Sequence, residues 1–142
     1  MSATTGQREA ARVAAVRGRD ADARLRVFAE LWGPGAKYDE LGWEPFREGV
    51  EIFPIYGDRG NGAAAALLRY QPGARVPKHE HSDWEHILVL QGSQADESGE
   101  YSAGTLVVNR PSSSHSIFSK AGCVVLAIWT GPVRILEGSS SE

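Results

Sequence analysis

The chain has a single cysteine, Cys123, and a single methionine at its start, and its formal net charge is only −3. One thiol excludes an internal disulfide framework and fits a reducing compartment, so a cytoplasmic protein is expected. Cys123 opens the apolar run Cys123-Val-Val-Leu-Ala-Ile-Trp129, with no motif placing a base beside it, and reads as a buried core thiol. The small charge imbalance gives no overall reason to expect nucleic acid or an acidic membrane as partner. Apolar runs such as Ala63–Leu68 and Cys123–Trp129 are too short to cross a bilayer. The basic, alanine-rich N-terminus lacks a compact apolar segment, so no secretory signal is expected. No internal repeat or long linker divides the 142 residues, a length that suits one domain with a sizeable core.

Histidine is scarce too, and its distribution is uneven. No histidine precedes His79, and all four, His79, His81, His86 and His115, fall in or beside two segments. On an extended strand side chains alternate faces, so His79 and His81 point the same way. Glu85 follows four residues later and shares a face with Ile87 and Val89, while His86 points to the opposite face and reads as structural or interfacial. Imidazoles on one face with a carboxylate close behind suit a first-row transition metal better than a core.

Residues 1–35 read as an N-terminal arm. From Gln7 to Arg26 it holds six arginines against three acids, and Leu25, Phe28, Leu31 and Trp32 recur at helical spacing before Gly33-Pro34-Gly35 stops the pattern. Without interleaved aromatics, the arginines read as a solvated helix face rather than a nucleic-acid arm. Residues 36–137 change character, and from Val50 short apolar stretches alternate with turn signals about every ten residues: Val50–Tyr56, Ala63–Tyr70, Glu85–Gln91, Gly104–Asn109, His115–Ser119, Cys123–Trp129 and Val133–Leu136. Many short strands without intervening helices predict an all-β antiparallel sandwich or barrel. Residues 138–142 read as a disordered tail.

The run Gly73-x5-His79-x-His81-x3-Glu85-x6-Gly92 matches the first motif of the cupins without a gap. Gly104 and His115 keep the spacing of the second cupin motif, although Arg110, Ser112 and Ser119 stand where proline, glycine and asparagine are usual. With Trp43–Arg47, Leu67–Ala74, Ile87–Gly92 and Asp96–Gly99, the chain resembles ChrR-type cupins over residues 43–136. That resemblance implies a small jelly-roll barrel whose interior ligands are His79, His81, Glu85 and His115, holding one divalent transition metal, with Fe or Zn foremost and Mn, Ni or Cu as alternatives. Related-looking cupins include Fe(II) dioxygenases of β-diketones or hydroxylated aryl ketones, and in ChrR-type anti-sigma factors the cupin follows a zinc-binding module. The expectations are therefore a small-molecule dioxygenase or a regulatory cupin with closed zinc, with a homodimer in either case. Ile87, Val89 and Ile117 are candidates for the pocket wall, Trp84 and Phe118 for substrate stacking, and Arg69 for a substrate anion.

Overall fold

The computed structural model describes residues 26–136, which fall in two compact units, one ending at Trp43 and one beginning at Glu44. Most of the helical arm read from the sequence lies outside the described residues. Its described end, 26–32, is not helical, and the turn at Gly33–Ala36 is closed by the Ala36 N–H donating to the Gly33 carbonyl at 3.1 Å. The first unit holds a short 3-10 helix, Tyr38–Glu40. Its carbonyl at Tyr38 accepts from Trp43 Nε1 at 2.6 Å, and the Tyr38 hydroxyl donates to the Leu31 carbonyl.

The second unit is all antiparallel strand: β1 (Glu44–Arg47), β2 (Val50–Gly57), β3 (Ala64–Tyr70), β4 (Ala74–His81), β5 (Glu85–Asp96), β6 (Gly99–Ser102), β7 (Leu106–Asn109), β8 (Ser114–Ser119), β9 (Cys123–Trp129) and β10 (Val133–Ile135). They join in the order β1-β2-β3-β9-β5-β8-β4-β10, with β6 and β7 also paired to β5. The result is a curled antiparallel sheet, a half-barrel, as the alternation of short apolar runs and turns predicts. β1 precedes Val50, where the strand pattern of the sequence begins, because Pro45 and an exposed Glu44 hide an edge strand from such a pattern.

β5 joins the two halves of the curl. Glu85–Leu88 pair with β7 and Glu85–Gly92 with β9, whereas Ser93–Asp96 pair with β6 and touch β8. Between these stretches the register with β9 slips at Val89/Gln91, and Gly92 adopts φ +73. A Cβ at Gly92 would lie 2.1 Å from the Gly122 carbonyl oxygen, so this close crossing requires glycine. Inward side chains of β2, β3, β5 and β9, among them Val50, Leu68, Val89, Val125 and Ala127, form the core beneath the curl. Cys123 belongs to that core, and burial pushes its thiol up to about 11, as a packed thiol requires.

Candidate metal centre

His79 and His81 reach the interior through an irregularity in β4. Ala74 and Val76 face inward, and unbroken alternation from them would turn both histidines outward. The β4–β8 register slips between Val76 and His79, at Pro77-Lys78, and this bulge re-aims the strand so that His79 and His81 are buried. β8 carries His115 opposite His79 in register. Glu85 opens β5 after a tight turn in which the Trp84 N–H donates to Asp83 Oδ1 at 2.9 Å and the Thr130 N–H to the Trp84 carbonyl at 3.0 Å.

The four ligand-type atoms lie within 4.8 Å of one another, the one such grouping among the described residues. The imidazoles stand edge to face, with centroids 4.6–5.0 Å apart. Each inner ring is anchored through Nδ1: His79 to the Pro77 carbonyl at 3.0 Å, His81 to Ser113 Oγ at 3.0 Å and His115 to Asp96 Oδ2 at 3.1 Å. Fixing Nδ1 in this way sets the ring orientation and leaves the Nε2 lone pair to face the cluster. His81 Nε2 and His115 Nε2 are buried without a hydrogen-bond partner. They lie 3.0 and 3.7 Å from Glu85 Oε1. Orphaned imidazole nitrogens converging on a buried carboxylate oxygen fit a cation bound among them.

Glu85 is itself held from behind. Its Oε2 accepts from Trp129 Nε1 at 2.6 Å, and its Oε1 accepts from Asn109 Nδ2 at 3.1 Å. Burial opposes the charge on Glu85, but the adjacent His81, with His79 and His115, outweighs it and holds the carboxyl at about 2. Burial also keeps His79 neutral down to about 4, the Pro77 hydrogen bond and the Glu85 charge only partly offsetting it. A neutral His79 and an ionised Glu85 are the protonation states in which those two groups can ligate a metal.

A cavity of about 30 Å³ adjoins the cluster, and Ile87 and Ile117 line it, as their inward positions predict. The remaining pocket candidates sit elsewhere. Val89 is fully buried in the core. Arg69 lies on the other face of β3, where Nη2 meets Glu51 Oε1 at 2.8 Å. Phe118 alternates outward from Ile117 and carries the Arg75 guanidinium 4.4 Å above its ring, and Trp84 is 45% exposed. His86 faces away from the cluster and is half-buried between Val108 and Ile128, as expected. In place of the candidates the cavity is lined by Phe46, Arg47, Arg59, Tyr70, Gln94 and Trp129, which carry no motif of their own.

Residues 35–134 match the model of the ChrR cupin-like domain. The chain is 32% identical over 104 residues to the anti-sigma-E factor ChrR of Cereibacter sphaeroides, covering 70% of the chain but only 47% of that relative. The crystal structure of Rhodobacter sphaeroides SigE in complex with the anti-sigma ChrR is similar over 67% of this chain and 51% of that one, at 29% identity and a TM-score of 0.58. An acetylacetone dioxygenase from Acinetobacter johnsonii shares the fold over 84% of this chain and 86% of its own, with a TM-score of 0.63 at 13% identity.

Proposed function

Since the chain belongs to the ChrR cupin-like family, we propose that His79, His81, Glu85 and His115 hold one divalent transition metal and that the site serves a metal-dependent dioxygenase of small β-dicarbonyl or aryl ketone molecules. The observation that carries the metal reading is the convergence of buried, unpartnered Nε2 atoms on Glu85, each ring locked through Nδ1. The oxygenase reading draws on the cavity beside the cluster, on an N3O donor set that leaves a six-coordinate ion two further positions, and on the acetylacetone dioxygenases among the fold neighbours.

When bound, an ion such as Fe(II) supplies Lewis acidity and redox capacity. The chain's own residues orient and exclude. Trp129 and Asn109 fix the Glu85 carboxylate. Ile87, Ile117 and Val76 wall the cavity against water. Tyr70, its phenol pushed far up by burial, stays a hydroxyl donor at neutral pH. In an anaerobic Fe(II)-reconstituted sample, admission of air should lead to dioxygen uptake that depends on an added β-dicarbonyl or aryl ketone.

A second reading rests on the ChrR relative, a protein named for regulation rather than catalysis. Here the same four residues would hold Zn(II) in a closed site, and the barrel would be a sensing or binding module. Tightly held four-coordinate zinc, with no dioxygen uptake across a broad substrate panel, would decide for it. A homodimer belongs to either reading. It is supported by an edge: among the described strands β7 pairs with β5 alone, and it exposes Leu106 and Val108.

A further inference from the structure

Two polar side chains that line the cavity beside the cluster, Tyr70 and Gln94, have no hydrogen-bond partner among the described residues. They are 6% and 3% exposed, so bulk water does not serve them either. Tyr70 stands on β3 between Val50 of β2 and Cys123 of β9, within the apolar core. Gln94 stands on β5 beyond the slip before Gly92, opposite Tyr101 of β6. A buried hydroxyl or amide without a partner is destabilising, so two of them on one cavity call for an occupant that both can bond.

The size of the cavity limits that occupant. One water needs on the order of 10–15 Å³, so about 30 Å³ holds roughly two or three non-hydrogen atoms. Pockets for whole organic ligands run to roughly 300–1,000 Å³. The space therefore suits the smaller of the two reactants in the proposed reaction. His79, Glu85 and His115 line the same cavity, so an occupant bonded by Tyr70 and Gln94 also lies against the cluster.

Tyr70 serves as a donor there. Burial, then the Cys123 thiol and the Glu85 charge, push its phenol far up, so it keeps its proton. The Gln94 amide donates through Nε2 and accepts through Oε1. Neutral donors facing a cation site match a small ligand that meets the cation at one end and accepts hydrogen bonds at the other. A closed four-coordinate site has no external ligand for them to bond.

We infer that Tyr70 and Gln94 bind a small acceptor of roughly two or three non-hydrogen atoms, dioxygen in the proposed reaction, between themselves and the four-residue cluster. This rests on the metal-site reading above and extends it: the site keeps a position open to an external ligand, and these two side chains select what enters it.

Azide, a linear three-atom anion that accepts hydrogen bonds at its ends, is the probe. The full chain is loaded with Co(II), whose visible spectrum reports coordination, and metal content is measured on every sample. Azide should change the wild-type spectrum saturably. Tyr70→Phe and Gln94→Leu should each weaken azide binding by about ten-fold or more, with metal content unchanged. Tyr70→Phe removes a hydroxyl that bonds no described protein group, so its thermal midpoint without azide should equal or exceed that of wild type. A wild-type spectrum unmoved by azide at full metal loading would overturn the inference and leave the metal-site reading standing. Variants that bind azide like wild type, or a Tyr70→Phe midpoint well below wild type, would assign the pair to a structural water and overturn it too. A wild type that takes up no Co(II) would sink the metal-site reading and this inference with it.

Discussion

The three imidazoles of the cluster rest on acceptors of different strength: a carbonyl behind His79, a hydroxyl beside His81 and a carboxylate behind His115. A carboxylate partner raises imidazole basicity most, so on the proposed metal reading Asp96 should have the largest leverage on metal binding among residues outside the four-residue cluster. Asp96→Asn should weaken metal affinity by about 10- to 100-fold, measured by competition with a chromophoric chelator. Ser113→Ala should cost less. A native affinity in Asp96→Asn would mean that the His115 ring is oriented by packing alone. The clustering of His79, His81, Glu85 and His115 was legible in the sequence because histidine is scarce here and falls at fixed spacing. Their supports were not. Asp96 lies eleven residues after Glu85, an odd interval that plain alternation assigns to the opposite face. Trp129 and Asn109 come from other strands, and nothing local marks them. Arg69, whose sequence position suggests a substrate anion, pairs with Glu51 instead, whereas Arg47, on an edge strand, and Arg59, in a turn that reads only as a connection, line the cavity.

Strand irregularities do much of the positioning. The slip at Pro77-Lys78 turns two histidines inward, and the slip at Val89/Gln91 lets Glu85 and Asp96 both face the site from one long strand. Sequence patterns give the period of a strand but not where it skips, and for that reason β5 was expected to stop near Gln91 when it runs on to Asp96. Gly92 makes the second slip possible. Gly92→Ala combines a positive φ with a direct clash against the Gly122 carbonyl, and should cost about 3 kcal/mol or more in chemical denaturation. Ser112 is the converse case. It occupies the place where the cupin motif has glycine, and it adopts φ +67 while its N–H donates to the His81 carbonyl at 2.8 Å. The turn therefore keeps its shape at the expense of strain in a non-glycine residue. Ser112→Gly should leave metal binding intact and stabilise the fold by about 0.5–1 kcal/mol, the left-handed strain relieved less the entropy glycine loses on folding. A destabilised Ser112→Gly variant would show that the serine side chain supports the turn.

On the scale of the whole molecule, the curl and most of its strands followed from alternation and turn spacing, since apolar strands of seven or eight residues leave an antiparallel barrel little alternative. Cavity size could not be read this way, because it depends on which loops fold back over the opening. Metal and fold should respond to acid together. Burial lowers His79 from 6.5 to about 4, so between those values the unfolded chain binds the proton that the folded chain refuses, and stability falls as pH falls through that window. Glu85, depressed from 4.5 to about 2, contributes stability that is present above 4.5 and is lost as pH falls toward 2. Bound metal should thus persist at pH 6, where ordinary histidines already compete for protons, and be released by about pH 4. Release near neutrality would show that His79 is not shielded. The central claim is the ligand set, and it is tested most directly by metal analysis of wild type and His81→Ala after loading with Fe(II), Mn(II) or Zn(II) and removal of free ion. Wild type should carry about one ion per chain and the variant almost none while remaining folded. A metal-free wild type, or a fully loaded His81→Ala variant, would contradict it.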